Sequence, residues 1–172
     1  MEHKMKTAVI YYSYSGNCNL IAQMIKSAIK ADLFEIKTVD SKRRKGFFLI
    51  LWGGFQAVTK KKPALKPLPV DFNSYDCIIL GTPVWAGSPA PALVSFLSQN
   101  QISGRKLALF CCHGGGMGKV FGKIKAMLQG GAQDERGNAV IGEIDFKDPV
   151  KGDAAESKNK IEEWLKNLGL KK

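Results

Sequence analysis

The residues best suited to chemistry lie between an apolar run and an amphipathic run near the start of the chain. Residues 8–12 predict a buried strand, and apolar side chains at helical spacing over 20–29 predict a helix. The segment between them carries hydroxyls, an amide, a thiol and one glycine, but no acid: Ser13, Tyr14, Ser15, Gly16, Asn17 and Cys18. Free backbone N–H groups and a positive helix end favour phosphate at such a place. The alternative is an ordinary strand-to-helix turn capped by Ser15 or Asn17.

Two later loops contain residues suited to holding a flat ring. Strand-like residues 75–80 precede one loop: Gly81, Thr82, Pro83, Val84, Trp85, Ala86, Gly87 and Ser88. Strand-like residues 106–111 precede the other: Cys112, His113, Gly114, Gly115, Gly116, Met117 and Gly118. A tryptophan offers a broad apolar plane, and glycines let backbone approach a ring closely. The alternatives are a tryptophan that packs into the core, a flexible glycine tip and a merely exposed histidine.

Strands alternating with helices must position these loops. Two more strands are predicted at 32–39 and 139–146, and a C-terminal helix is predicted around Ile161, Trp164, Leu165 and Leu168. This pattern predicts one domain over 1–172, an α/β fold with a doubly wound five-stranded parallel sheet and helices on both faces. Ligands bind such sheets beyond the carboxyl ends of the strands. In the strand order 2-1-3-4-5, the strands before the three loops are neighbours, so the loops converge.

The three loops together resemble those of the flavodoxin family, with a short-chain layout. Ser13, Ser15, Gly16 and Asn17 match the FMN-phosphate loop, although Cys18 stands where a threonine is expected. The loop with Trp85 is similar to the one that lays an aromatic against the flavin, and the loop after residue 111 is similar to the one gripping its other side. The resemblance implies FMN as cofactor, held by residues of all three loops: Ser13, Tyr14, Ser15, Gly16, Asn17, Cys18, Thr82, Pro83, Val84, Trp85, Ala86, Gly87, Cys112, His113, Gly114, Gly115, Gly116 and Gly118.

Two details of the second and third loops bear on function. The turn 85–88 requires φ > 0 at Gly87, and the resemblance implies that the peptide after Ala86 reorients when the flavin is reduced. In the third loop Gly116, Met117 and Gly118 stand where flavodoxins usually have a second aromatic. One flavin face is therefore expected to be open to a second substrate.

Three functions are consistent with these residues. The preferred one is an FMN-binding flavodoxin-like electron carrier between redox proteins. The alternative is an NAD(P)H-dependent FMN or quinone reductase that uses the open flavin face. The third, an interaction module that has lost FMN, is disfavoured by the intact phosphate loop and Trp85. No three-glycine dinucleotide fingerprint or P-loop is present, and the acids and phosphate-loop arginine of other flavodoxin-like folds are missing.

Composition limits the partners and the compartment. The 172 residues carry a formal net charge of +11, which invites anionic lipid, nucleic acid or acidic proteins, but no nucleic-acid-binding motif is recognisable. Four cysteines without metal-binding spacing, and no secretory signal, favour a cytoplasmic protein without a metal site. Residues 42–62 place large apolar side chains between basic clusters, which predicts docking to a membrane surface or a partner. The alternative for this segment is packing under a loop or in a homodimer.

Overall fold

A parallel sheet with helices on both faces organises the chain. The computed structural model describes residues 5–39, 62–129 and 137–172. The strands in these ranges are β1 (Thr7–Tyr11), β2 (Asp32–Glu35), β3 (Cys77–Trp85), β4 (Ser88–Pro89), β5 (Lys106–His113) and β6 (Ala139–Lys147). The helices are α1 (Asn17–Ile29), α2 (Pro91–Gln99), α3 (Val120–Gln129) and α4 (Ala154–Asn167), with a 3-10 turn at Phe72–Ser74.

The strand order is β2-β1-β3-β5-β6, and all four pairings are parallel. The predicted order 2-1-3-4-5 is confirmed, because the predicted fourth and fifth strands are β5 and β6. The two-residue strand β4 pairs antiparallel with the end of β3 and was not predicted. Since β1, β3 and β5 are neighbours, their carboxyl ends lie side by side.

The central strands are mostly apolar because both faces of the sheet are covered. On one face, Val9 of β1 and Phe110 of β5 pack in a core with helices α1 and α4. On the other face, Ile10 of β1 and Leu109 of β5 pack in a second core with helices α2 and α3. Neighbouring strand residues therefore point into different cores, one on each face of the sheet.

Three predicted strand ends are wrong. β3 continues to Trp85 and β5 to His113, beyond the predicted ends at residues 80 and 111. Thr82 and Pro83 still pair with β5, Val84 and Trp85 pair with β4, and the end of β5 pairs with β6. β2 ends at Glu35, and the chain then forms a single antiparallel bridge from Thr38 to Leu65. Residues 42–61 of the predicted docking segment lie outside the described residues. In the described ranges, none of the helices is long and apolar enough to cross a membrane.

Candidate cofactor site

Four loops meet at the carboxyl edge of the sheet. They follow β1, β3, β5 and β6, so the three predicted loops do converge, and a fourth, between β6 and α4, joins them. The backbone N–H of Val150 in that loop donates to the side-chain oxygen of Asn17 at 3.0 Å. The N–H of Asp148 donates to the carbonyl of His113 at 2.9 Å. The fourth loop is therefore bonded to both the first and the third.

The loop after β1 has the geometry of an anion cradle. Gly16, in the left-handed region with φ of 95°, directly precedes α1, and a side chain added there would meet open space. Neither Ser15 nor Asn17 caps the helix; instead Ser13 Oγ accepts the N–H of Asn19 at 3.2 Å. The N–H groups of the first turn have no partner within the helix, and that turn contains no acid. These features fit a phosphate.

The side chain of Cys18 does not face this cradle. It is buried in the core and hydrogen-bonds the thiol of Cys112, which is also buried at the end of β5. This hydrogen bond, together with burial, raises the pKa of the Cys112 thiol. Both positions were predicted to bind the cofactor, and the packing leaves only their backbone atoms for that role.

Trp85 lies at the site edge, outside both apolar cores. It is half-buried, and its ring makes edge-on contacts with Tyr12 at 6.3 Å and Tyr14 at 5.7 Å between ring centroids. Burial raises the pKa of the Tyr12 phenol, so it stays neutral at physiological pH. Trp85 therefore belongs to an aromatic group that joins the first and second loops.

The second loop is a tight hairpin between β3 and β4. Gly87 has φ of 65°, which confirms the predicted positive value, and Ala86 is also left-handed at 48°. Two such residues form the two-residue turn that suits the twist of antiparallel strands. Buried Thr82 secures the hairpin, because its hydroxyl accepts from Ala90 N and donates to Pro83 O, both at 3.0 Å. The Thr82 hydroxyl therefore makes its hydrogen bonds within the protein and stabilises the hairpin.

A backbone contact clasps the second loop to the third. The N–H of Lys119 donates to the carbonyl of Gly87 at 3.1 Å. Gly118 has φ of 55°, and a Cβ on it would lie 2.4 Å from Gly87 Cα. Only glycine permits this approach, so two glycines predicted from separate loops are in contact.

We expect Gly118→Ala to open this clasp and to weaken FMN binding by about tenfold, because the new Cβ clashes with backbone and the left-handed conformation costs about 1–2 kcal/mol. Hydrogen exchange at Lys119 N should accelerate in the same variant. Gly104→Ala is the matched control, since Gly104 lies outside these loops, has a similar φ of 65°, and a Cβ there meets nothing within 4 Å. Equal exchange and affinity in both variants would contradict the clasp.

The third loop begins at His113. The alternative interpretation, that this histidine is merely exposed, is wrong. Its side chain is 9% exposed, and Nε2 lies 2.9 Å from Asp145 Oδ2 on β6. The hydrogen bond with His113 lowers the pKa of Asp145. Nδ1 of His113 is buried without a hydrogen-bond partner in the described part of the chain. The pair ties the start of the third loop to the neighbouring strand.

The remaining third-loop glycines present bare backbone. A Cβ on Gly115 or Gly116 would meet open space, and one on Gly114 would lie 3.6 Å from a carboxylate oxygen of Asp148. A flat ring can approach such a loop closely. No group of three or more potential metal ligands occurs in ranges 5–39, 62–129 and 137–172.

The sequence interpretation missed Asp145, Asp148 and Val150. All three lie at the end of the last strand or in the loop that follows it, and they contact predicted site residues. The rule that ligands bind beyond the carboxyl ends of parallel strands could have found them. The residue types themselves did not indicate a role in the site, because their hydrogen-bond partners lie more than 30 positions away in the sequence.

The fold and the convergence of these loops define a flavodoxin-like protein with its candidate cofactor site at one sheet edge. The chain belongs to the NADPH-dependent FMN reductase family, whose model matches residues 5–135. No curated protein matches the chain in sequence.

Solved structures agree with the fold. A flavoprotein from Lactobacillus acidophilus in complex with FMN is 28% identical, with a TM-score of 0.67 over 85% of this chain and 96% of that one. A putative flavoprotein from Bacteroides eggerthii is 19% identical, with a TM-score of 0.72 over 97% and 99%. Megasphaera elsdenii flavodoxin is 21% identical, with a TM-score of 0.56 over 94% and 99%. The predicted flavodoxin-like fold is confirmed.

Proposed function

We propose that this protein is an FMN-dependent oxidoreductase that takes a hydride from NAD(P)H and passes the electrons to a flavin or quinone acceptor. The observation that carries the proposal is the family match over 5–135. FMN, the cofactor predicted from the sequence, is supported by that family and by the FMN-bound Lactobacillus structure. This was the alternative at the sequence level, and the family favours it over the electron carrier.

Different loops of the site would bind different parts of FMN. The first-turn amides of α1, with Ser13 and Ser15 beside them, would bind the phosphate, where no acid opposes it. Trp85 would supply an apolar plane against one ring face. The glycines of the third loop would let backbone reach the edge of the ring. When bound, FMN supplies the redox chemistry, accepting a hydride and passing its electrons on.

The exposed third loop leaves room for a second substrate. Residues 114–119 are all exposed, and none of them is aromatic. A nicotinamide could therefore approach the ring from this side. A cytoplasmic setting fits the proposal, because Cys18, Cys77, Cys111 and Cys112 are free, buried thiols.

The test is anaerobic mixing of the FMN-loaded protein with NADPH or NADH, followed at the flavin absorbance band. We expect complete bleaching by one equivalent, in a single two-electron step, and slower bleaching when the hydrogen that leaves C4 of the nicotinamide is replaced by deuterium. The electron carrier is the second candidate, since the left-handed Gly87 suits a peptide that reorients on reduction. If neither nucleotide reduces the protein at about 1 mM but a redox protein partner does, the protein is an electron carrier.

A further inference from the structure

A groove lies between α2 and α3 and begins beside the hairpin of the second loop. Its volume is about 520 Å³, which is within the range of small-molecule sites. Ser88 and Lys123 are its polar lining residues. The rest of its lining is apolar and comes from the hairpin and the two helices: Pro89, Pro91, Val94, Ala126 and Met127.

Lys123 joins this groove to the edge of the candidate site. Its ammonium group donates a hydrogen bond to the hydroxyl of Ser88, and Ser88 pairs directly with Trp85 in the hairpin. The N–H of Lys119 donates to the carbonyl of Gly87 and so fixes the start of α3 beside the hairpin. Because Lys123 follows one helical turn later, its ammonium group lies at the end of the groove next to the hairpin.

The charge of this part of the chain favours an anion. Residues 77–129, from β3 to the end of α3, contain no aspartate or glutamate, but they contain Arg105, Lys106, Lys119, Lys123 and Lys125. The ammonium group of Lys125 lies 2.8 Å from the carboxylate of Glu143 on β6, which balances its charge. In the described ranges, Lys123 has an uncharged hydroxyl as its hydrogen-bond partner and no carboxylate. An anionic group in the groove therefore meets a cation and no opposing acid among the lining residues.

We propose that this groove binds the adenosine diphosphate half of NAD(P)H, with the diphosphate at Lys123 and the adenine against the apolar lining. A flat base joined to a charged diphosphate matches an apolar groove with one ammonium group at its end. The pairing of Ser88 with Trp85 places that end beside the ring site, where the nicotinamide must lie for hydride transfer. The inference rests on the proposed function, because it concerns the same substrate.

Calorimetric titration of the FMN-loaded protein with ADP-ribose provides the first test. ADP-ribose carries the adenosine diphosphate but no nicotinamide, so its binding does not depend on hydride transfer. We expect Lys123→Gln to weaken it about tenfold, because a charge-assisted contact to phosphate is lost. Lys125→Gln is the matched control, since it removes the same charge from a lysine that is already paired, and it should change the affinity less than about twofold. If the natural protein does not bind ADP-ribose at about 10 mM, or if both variants bind it equally, the proposal is wrong.

A second variant separates this role of Lys123 from a purely structural one. Ser88→Ala breaks the same hydrogen bond as Lys123→Gln but keeps the ammonium group. We expect Ser88→Ala to retain its affinity for ADP-ribose, and both variants to bind FMN within about twofold of the natural protein. An equal loss of ADP-ribose binding in the two variants, or loss of FMN from Lys123→Gln, would overturn the proposal. Protein that binds ADP-ribose through Lys123 but is not bleached by NADPH or NADH would instead refute the proposed hydride transfer and leave the groove assignment intact.

Discussion

Replacement of Ser15 by aspartate is expected to weaken FMN binding by about a hundredfold. Ser15 is exposed in the loop before α1, where neither the loop nor the first helical turn contains an acid. A carboxylate about 4–5 Å from the phosphate would add roughly 3 kcal/mol of repulsion at the effective dielectric of a protein surface. It would also compete with the phosphate for the free N–H groups of the helix terminus. Isothermal calorimetry with the apo-protein measures the change.

Two controls isolate the charge from the shape of the side chain. Ser15→Asn has nearly the same shape as the aspartate variant but is neutral, so it should bind FMN within about threefold of the natural protein. Riboflavin has no phosphate, and its affinity should hardly change in either variant. A similar loss for riboflavin and FMN would place the phosphate elsewhere, and the assignment of this loop would be wrong.

Replacement of Gly81 by alanine is expected to destabilise the protein by about 3 kcal/mol. Gly81 on β3 pairs directly with Phe110 on β5, and an added Cβ would lie 2.0 Å from Cζ of that ring. Phe110 is fully buried, so its ring cannot swing into solvent. Urea denaturation of the apo-protein measures the loss, which should appear as a lower midpoint with an unchanged slope.

The loss of stability caused by Gly81→Ala should depend on the ring of Phe110. Phe110→Leu alone leaves a cavity and destabilises, but the double variant with Gly81→Ala should lose less than the sum of the two single changes, since leucine no longer occupies the place of the new Cβ. Gly115→Ala is the control for a glycine with open space around it. Additive losses in the double variant would show that the packing of Gly81 against Phe110 is not the cause.

The candidate site was partly predictable because its signals are local. A loop with serines, a glycine and no acid before a helix favours an anion site over an ordinary turn only in company with the other loops, whereas the glycine in a tight turn by itself indicates a positive φ at Gly87. The bonds that join the loops were not predictable. Asp145 with His113, and Asn17 with Val150, are pairs separated by 32 and 133 positions. Nothing in either member alone indicates its partner.

By itself, the sequence determined the alternation of strands and helices, because this follows from hydrophobic periodicity. The sheet order, and with it the set of loops that share an edge, was expected from the resemblance of the three loops to the flavodoxin family. Tertiary structure alone decided where β3 and β5 end, because a strand continues for as long as its neighbour offers hydrogen bonds. It also decided that the thiols of Cys18 on α1 and Cys112 on β5 face the core, since the buried side of a helix or a strand end depends on what packs against it. The contact of Gly87 with Gly118 likewise exists only because two distant loops are brought within a few ångströms.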